Sequence, residues 1–329
     1  MQDKVLVTGG TGFVAGAVIM ALLTHGYGVR TTLRDLSREA ALRAAFSRRG
    51  VSGMAFECMV ADLTADAGWT EVMEGCRFVL HVASPLGGAP EKDLIATAVE
   101  GTRRVFSAAQ AVGVERVVMT SSTAACTPAK PSLGAFNESD WTNPDQPGLA
   151  AYRRSKVLAE RTAWTMAEDG KTELVTLLPG AIFGPVLNPY QSGSVGIIRG
   201  LLQGQPSLLP RLAFNITDVR DLAALHVAAM TAPKAAGERF IVLGEALWFS
   251  EIAKILRDRL GEHANKVPTR RLPDFAAKLL AHINPQMREL LPLLGRTQKF
   301  SAAKACHVLG YAPRSAADTL VDCAESLRF

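Results

Sequence analysis

From Lys4 to Thr120, short runs of β-branched and aliphatic residues alternate with longer stretches in which apolar positions recur every three or four residues. The short runs predict strands at Lys4–Thr8, Val29–Leu33, Met54–Val60, Phe78–Val82 and Arg116–Thr120. The longer ones predict helices at Gly12–His25, Ser37–Arg49, Trp69–Met73 and Leu94–Val112. The strands are apolar on both faces, a pattern suited to a parallel sheet covered by helices on both sides. The right-handed crossover rule then leaves a doubly wound α/β sheet as the expected fold. A polar loop with four prolines, Pro128–Gly148, precedes a helix carrying Tyr152 and a strand at Leu174–Leu178, so the sheet should continue past mid-chain.

Beyond Pro185 the alternation fades and proline and glycine punctuate the chain. Strand-like Ala213–Ile216 and Phe240–Leu243 are expected to return to the main sheet, and helical patterns at Ser250–Leu260 and Pro273–Ala281 suggest a small separate lobe. The expected division is a nucleotide-binding body over residues 1–185, with returning segments near 211–245. A substrate lobe would be built from 186–210 and 246–329. With 329 residues and 48% hydrophobic content, the chain can bury a large core.

Composition narrows the partners. No apolar run is long enough to span a bilayer, and no membrane partner is expected. The first residues lead directly into Val5-Leu-Val7 without a charged-then-apolar leader. Cys58, Cys76, Cys126, Cys306 and Cys323 are odd in number and lack Cys-x-x-Cys spacing. Free thiols in a reducing cytoplasm are the expectation, without disulfides or zinc. The six histidines show no His-x-x-x-His pair, so no metal site is expected. The net charge of +5 is mild, and the arginines fall in small groups (Arg30/Arg34/Arg38, Arg103/Arg104, Arg153/Arg154) rather than a basic stripe. That argues against nucleic acid and for a phosphorylated small molecule.

The first strand opens into Thr8-Gly-Gly-Thr-Gly12-Phe-Val-Ala-Gly16 and then a helix. In that context Gly9 allows the tight turn, Gly12 allows close approach of a pyrophosphate, and the helix N-terminus favours the anion. A Rossmann-type dinucleotide site follows. Ala15 stands at the third small position, a mild departure. The second strand ends at Arg34, where NAD-selecting sites carry an acid, so a 2′-phosphate and NADP are favoured, with NAD open because Asp35 follows directly. Asp62 could reach the adenine amino group or cap the next helix. Tyr152 and Lys156 lie one helical turn apart, so the amine can favour the phenolate and make the phenol a proton-transfer group. Ser121, Ser122 and Thr123 offer consecutive hydroxyls at the end of the fifth strand.

Taken together, Thr8-Gly-Gly-Thr-Gly12, Asp62-Leu63, His81-Val-Ala83, Thr120-Ser-Ser122, Tyr152-x-x-x-Lys156 and Asp218-Val-Arg-Asp221 resemble the extended short-chain dehydrogenase/reductases. Leu178-Pro-Gly-Ala-Ile-Phe-Gly-Pro185, Asn137-Glu-Ser-Asp-Trp141 and Ala98-Val-Glu-Gly-Thr102 are similar to the dihydroflavonol, cinnamoyl-CoA and aldehyde reductase branch. Asn137 replaces that branch's Asp.

The resemblance implies a catalytic set of Ser122, Tyr152 and Lys156, with Thr123 as fallback for the serine. It implies a cofactor lying along Thr8, Gly9, Thr11, Gly12, Phe13, Val14, Arg34, Asp62, Leu63, Val82, Ala83, Ser84, Thr120, Tyr152, Lys156, Pro179, Gly180 and Ile182. His81 is given no catalytic role, and Asp218 and Asp221 read as a cap and salt-bridge cluster. The expected activity is NADPH-dependent, reversible reduction of a small apolar or aromatic aldehyde or ketone. Phe136, Phe183 and Tyr190 are candidates for the pocket, and a homodimer through the Tyr152 helix is open. Alternatives are a sugar-nucleotide epimerase or dehydratase, a 3β-hydroxysteroid-type dehydrogenase, and a non-catalytic NADP sensor.

Overall fold

The computed structural model describes residues 3–50, 56–86, 90–128, 134–187 and 193–327. The first half runs β1 (Lys4–Val7), α1 (Phe13–Thr24), β2 (Gly28–Leu33), α2 (Glu39–Ser47), β3 (Phe56–Val60), α3 (Trp69–Met73), β4 (Phe78–His81), α4 (Glu91–Ala111), β5 (Arg116–Thr120), α5 (Ala151–Ala167) and β6 (Glu173–Pro179). The remainder runs β7 (Ala181–Phe183), α6 (Ser194–Leu202), β8 (Ala213–Asp218), α7 (Val219–Thr231), β9 (Glu238–Val242), β10 (Ala246–Trp248), α8 (Phe249–Leu260), α9 (Asp274–Leu280), α10 (Pro285–Leu290), α11 (Ala303–Leu309) and α12 (Ala316–Ser326).

Seven parallel strands form the main sheet in the order β3-β2-β1-β4-β5-β6-β9. The order reverses direction between β1 and β4, the switch point at which open α/β sheets bind ligands outside the strands' carboxyl ends. One face is sealed by α1 and α7 through Val18, Ile19, Leu22, Leu222 and Met230 against Val5, Val7, Leu80 and Val118. The other is sealed by α3, α4 and α5 through Trp69, Val105, Phe106 and Ala163 against Leu6, Val79 and Val117. All of these side chains are buried, which explains strands without hydrophobic alternation.

One strand expectation changes. Ala213–Ile216 does not rejoin the main sheet. It is the middle strand of a three-stranded sheet, parallel to β7 and antiparallel to β10. Its first half, Ala213-Phe-Asn215, is only half-buried and partly polar, unsuited to a slot covered on both faces. The fully apolar Phe240-Ile-Val242 takes the place beside β6 instead.

The arginine groups are mostly structural. Arg30 donates to Glu57 across the sheet (2.8 Å) and to the Val72 and Glu74 carbonyls at the end of α3 (3.0 and 2.9 Å). Arg103 pairs with Glu100, Arg104 with Asp66, and Arg154 with Glu91. Arg153 donates to the Thr127 carbonyl. Carboxylates and backbone carbonyls of the protein itself account for these positions.

Candidate functional site

The carboxyl ends of β1 to β6 carry the glycine loop, Arg34, Asp62-Leu63, His81-Val-Ala83, Thr120-Ser-Ser122 and Pro179-Gly180. The glycine loop is tied to β2 by the Gly9 amide, which donates to Thr32 Oγ1 (2.9 Å), and to β4 by the Thr8 hydroxyl. Thr8 Oγ1 accepts from the Val82 and Ala83 amides (3.0 and 2.9 Å) and lies 3.1 Å from His81 Nδ1, to which it donates its own proton when that nitrogen is unprotonated. Gly9 sits at φ +75°, and a Cβ there would press on Ala83. Gly10 was not singled out from the sequence, yet a Cβ there would come within 2.4 Å of Thr31 Oγ1. The need for glycine at this position is set by β2, which no local pattern shows.

Helix α1 starts without a side-chain cap and without an acid in its first turn, so its leading amides are open to an anion. Thr11, Gly12, Phe13 and Val14 therefore surround a helix end suited to a pyrophosphate. Phe13 also packs against the hydrophobic cluster of Val195, Ile198, Phe249 and Leu320.

At the end of β2, Arg34 is exposed and has no hydrogen bond or salt bridge among the described residues. Asp35, the counter-signal, turns to its own loop. It accepts from the Ser37 amide and hydroxyl (2.8 and 2.5 Å), which hold its carboxyl below the usual range. Asp62 does not cap the following helix, which begins at Trp69 behind Gly68. Its Oδ1 accepts from the Thr64 amide and hydroxyl, and these bonds, with smaller contributions from Arg34 and Arg104, lower its pKa. Leu63 packs where a Cβ on Gly101 would fall, locking the turn onto α4.

The members of the serine run have different partners. Ser121 donates to Glu160 Oε2 inside the protein (2.6 Å). Thr123 leans on the Pro179 carbonyl at 3.4 Å. Ser122 Oγ accepts from the Ala124 amide (3.1 Å), which leaves its proton free to donate. Thr120 is directed elsewhere: its hydroxyl meets His226 Nε2 at 2.8 Å beneath α7, so only its backbone remains for a ligand.

Helix α5 then presents Tyr152, 36% exposed, one turn before Lys156, 6% exposed, with the ammonium 5.8 Å from the ring centroid. Lys156 makes no salt bridge among the described residues, and its charge is felt at His81. An unpaired, buried ammonium, an uncapped helix end and an unpaired Arg34 are the groups a phosphorylated dinucleotide would satisfy.

Two features position this helix and the chain opposite. Pro179 ends β6, and Gly180 crosses to β7 so close to β8 that a Cβ would lie 2.4 Å from the Asn215 carbonyl oxygen. Its amide donates to Thr217 Oγ1, and Ile182 follows on β7. Within α5, buried Glu160 accepts from Ser121, Thr176 (2.8 Å) and Arg239 Nε (2.8 Å). Arg239 also donates to the Glu138 and Asp140 carbonyls and lies 3.7 Å from the centroid of the Trp141 ring. The Asn137–Trp141 motif is therefore an anchor joining loop, helix and β9.

Two of the three pocket candidates, Phe136 and Phe183, are buried in packing. Phe136 is buried against Phe300, and Phe183 lies in the buried cluster with Val195, Ile198 and Ile216. Their apolar surface is consumed by packing. Tyr190 lies outside the described residues. Asp218 caps α7 and pairs with Arg220, while Asp221 pairs with Arg314. The five cysteines are free, and among the described residues no cluster could hold a metal and no helix is long and apolar enough to cross a membrane.

Burial and the Lys156 charge push His81 down to about 3, and burial pushes His226 down to about 4. Both stay neutral when folded but take a proton near 6.5 when unfolded. Stability present above pH 6.5 is therefore lost as pH falls through that value toward the folded pKa values, by about 1.4 kcal/mol per pH unit for each imidazole. His226→Gln should flatten the fall of the urea midpoint between pH 6.5 and 5. An unchanged slope would reject a neutral, buried His226.

Comparison with known proteins agrees with this geometry. The family described as "NAD dependent epimerase/dehydratase family" matches residues 5–244. An anthocyanidin reductase ((2S)-flavan-3-ol-forming) of Vitis vinifera is 32% identical over 291 residues, 83% of this chain and 84% of that protein. Cinnamoyl-CoA reductase 1 of Oryza sativa subsp. japonica is 34% identical over 263 residues, 78% of this chain and 76% of that protein. The solved yeast methylglyoxal/isovaleraldehyde reductase, complexed with NADPH, has TM-score 0.80 at 25% identity and covers 98% of both chains. With its switch-point sheet, its glycine loop and these matches, the chain belongs to the NAD dependent epimerase/dehydratase family.

Proposed function

We propose that this chain is an NADPH-dependent reductase that converts a small apolar or aromatic aldehyde or ketone to its alcohol, reversibly, using Ser122, Tyr152 and Lys156. The observation that carries the reading is the α5 pair: a solvent-facing phenol above a buried ammonium with no counter-ion among the described residues. A purely structural lysine at that depth would be expected to have a carboxylate beside it.

In this reading Ser122 donates its free proton to the substrate oxygen and holds it toward Tyr152. Tyr152 transfers its phenolic proton to that oxygen as negative charge develops there. The Lys156 ammonium stabilises the phenolate left behind. Gly9 to Val14, Val82 to Ser84, and Pro179 to Ile182 would hold NADPH, which supplies the hydride when bound. Arg34 would pair with the 2′-phosphate, Asp62 and Leu63 would border the adenine, and Thr120 would contribute through its backbone. The division into a nucleotide-binding body and a substrate lobe, and a homodimer through α5, belong to the same proposal.

The relatives named as reductases favour carbonyl reduction over sugar-nucleotide chemistry. A panel of aldehydes, ketones and sugar nucleotides followed by NADPH absorbance tests this. Oxidation of NADPH by apolar carbonyl compounds is expected, and turnover of sugar nucleotides alone would overturn it. Arg34→Ala should weaken NADPH by roughly 10- to 100-fold, the worth of one or two charge-assisted hydrogen bonds, and leave NADH nearly untouched. Equal losses for both cofactors, measured by titration calorimetry, would reject the 2′-phosphate assignment.

A further inference from the structure

The three most exposed large apolar side chains among the described residues are Ile283, Phe275 and Leu279, at 82%, 76% and 71%. Phe275 and Leu279 lie one turn apart on α9, and Ile283 continues the stripe in the turn that follows, where its amide donates to the Leu280 carbonyl. The other side of the helix is closed, with Ala277 and Ala281 fully buried against the protein. Exposed Leu280 widens the stripe, and Leu208 stands beside the Arg270–Leu272 segment through the Leu209 bridge.

Charge is concentrated in the same place. Residues 266–299 hold seven of the 36 lysines and arginines and two of the 31 acids, leaving 29 of each over the other 295 residues. The net charge of the whole chain thus resides in this segment. Lys266, Arg270, Arg271, Lys278, Arg288, Arg296 and Lys299 are all exposed, and none makes a salt bridge among the described residues. Arg288 is held beside the stripe by donating to the Ala281 and His282 carbonyls. Elsewhere the cations largely find acids, as with Arg77, Arg220 and Arg239.

We propose that α9 and its flanks dock the protein on an anionic lipid bilayer, with Phe275, Leu279 and Ile283 entering the headgroup region and the surrounding cations meeting lipid phosphates and carboxylates. Apolar residues on one side, cations around them and low overall hydrophobicity characterise a segment that lies in an interface rather than spanning it. Side chains standing this far from the surface suit a fluid layer that can envelop them. A second copy would bring one positive field against another. The expectation of no membrane partner, drawn from the lack of a spanning segment, does not bear on a surface contact of this kind.

Flotation of the full chain with phosphatidylcholine vesicles, with and without about a third phosphatidylserine, tests the proposal. Binding to the anionic vesicles should exceed that to neutral ones by roughly tenfold or more and fall steeply in high salt. Phe275→Ser with Ile283→Ser, and separately Arg270→Glu with Lys278→Glu, should each abolish the difference while leaving the melting temperature unchanged. Failure to bind anionic vesicles, or full binding by either double variant, would overturn it. So would light scattering that shows a lipid-free dimer of the parent chain converted to a monomer by the serine variant, since a second copy would then cover the stripe.

Discussion

Tyr152→Phe is expected to lower kcat by about 10²–10⁴-fold while NADPH binds as before. The substitution removes one oxygen from a side chain that is one-third exposed, so it leaves no cavity and disturbs no packing. Ser122 would still orient the carbonyl and Lys156 would still be buried beneath the ring, but the proton would have to come from water at a site arranged for a phenol. The loss should appear in kcat more than in KM, because the transfer happens only as the transition state is reached. Stopped-flow measurement of single-turnover NADPH oxidation, with cofactor affinity measured by fluorescence, checks both halves. A variant keeping more than about a tenth of the rate would remove Tyr152 from the proposed chemistry.

The second large effect concerns stability. Arg239→Met should cost about 3–5 kcal/mol, because it leaves the fully buried Glu160 carboxylate without its cation. It would also free the Glu138 and Asp140 carbonyls and uncover the Trp141 ring. Glu160 lies two turns beyond Tyr152 on α5, so the change should also loosen the helix that aligns the phenol. Urea unfolding followed by tryptophan fluorescence and circular dichroism gives the comparison. A loss below about 1 kcal/mol would mean that the carboxylate finds other partners or takes up a proton.

How far the chain could be read in advance depended on whether the cause of a feature was local. Trp69–Met73 and Arg116–Thr120 form with the bounds expected from their patterns, and the glycine loop sits between strand and helix as its spacing requires. Those features follow from neighbours a few residues away. Ala213–Asp218 has the local look of a sheet strand, but which sheet it joins depends on competition with Phe240–Val242 for the edge of β6. The aromatic rings of Phe136 and Phe183 are equally apolar in a pocket or a core, and only Phe300 and the cluster around Val195 and Ile198 decide between them. Arg116 shows the limit most plainly: its partners include carbonyls of Ala229 and Ala232, more than a hundred residues away.

The anchor loop has one more consequence. Strand β9 is the last in its sheet, and the carboxylate of Glu138 accepts from the Ile241 amide on it. An open border of this kind is a template on which another molecule's backbone can add, the first step of aggregation. The loop that anchors α5 to β9 therefore also guards solubility. Glu138→Ala should lower solubility, read as the concentration at which light scattering rises.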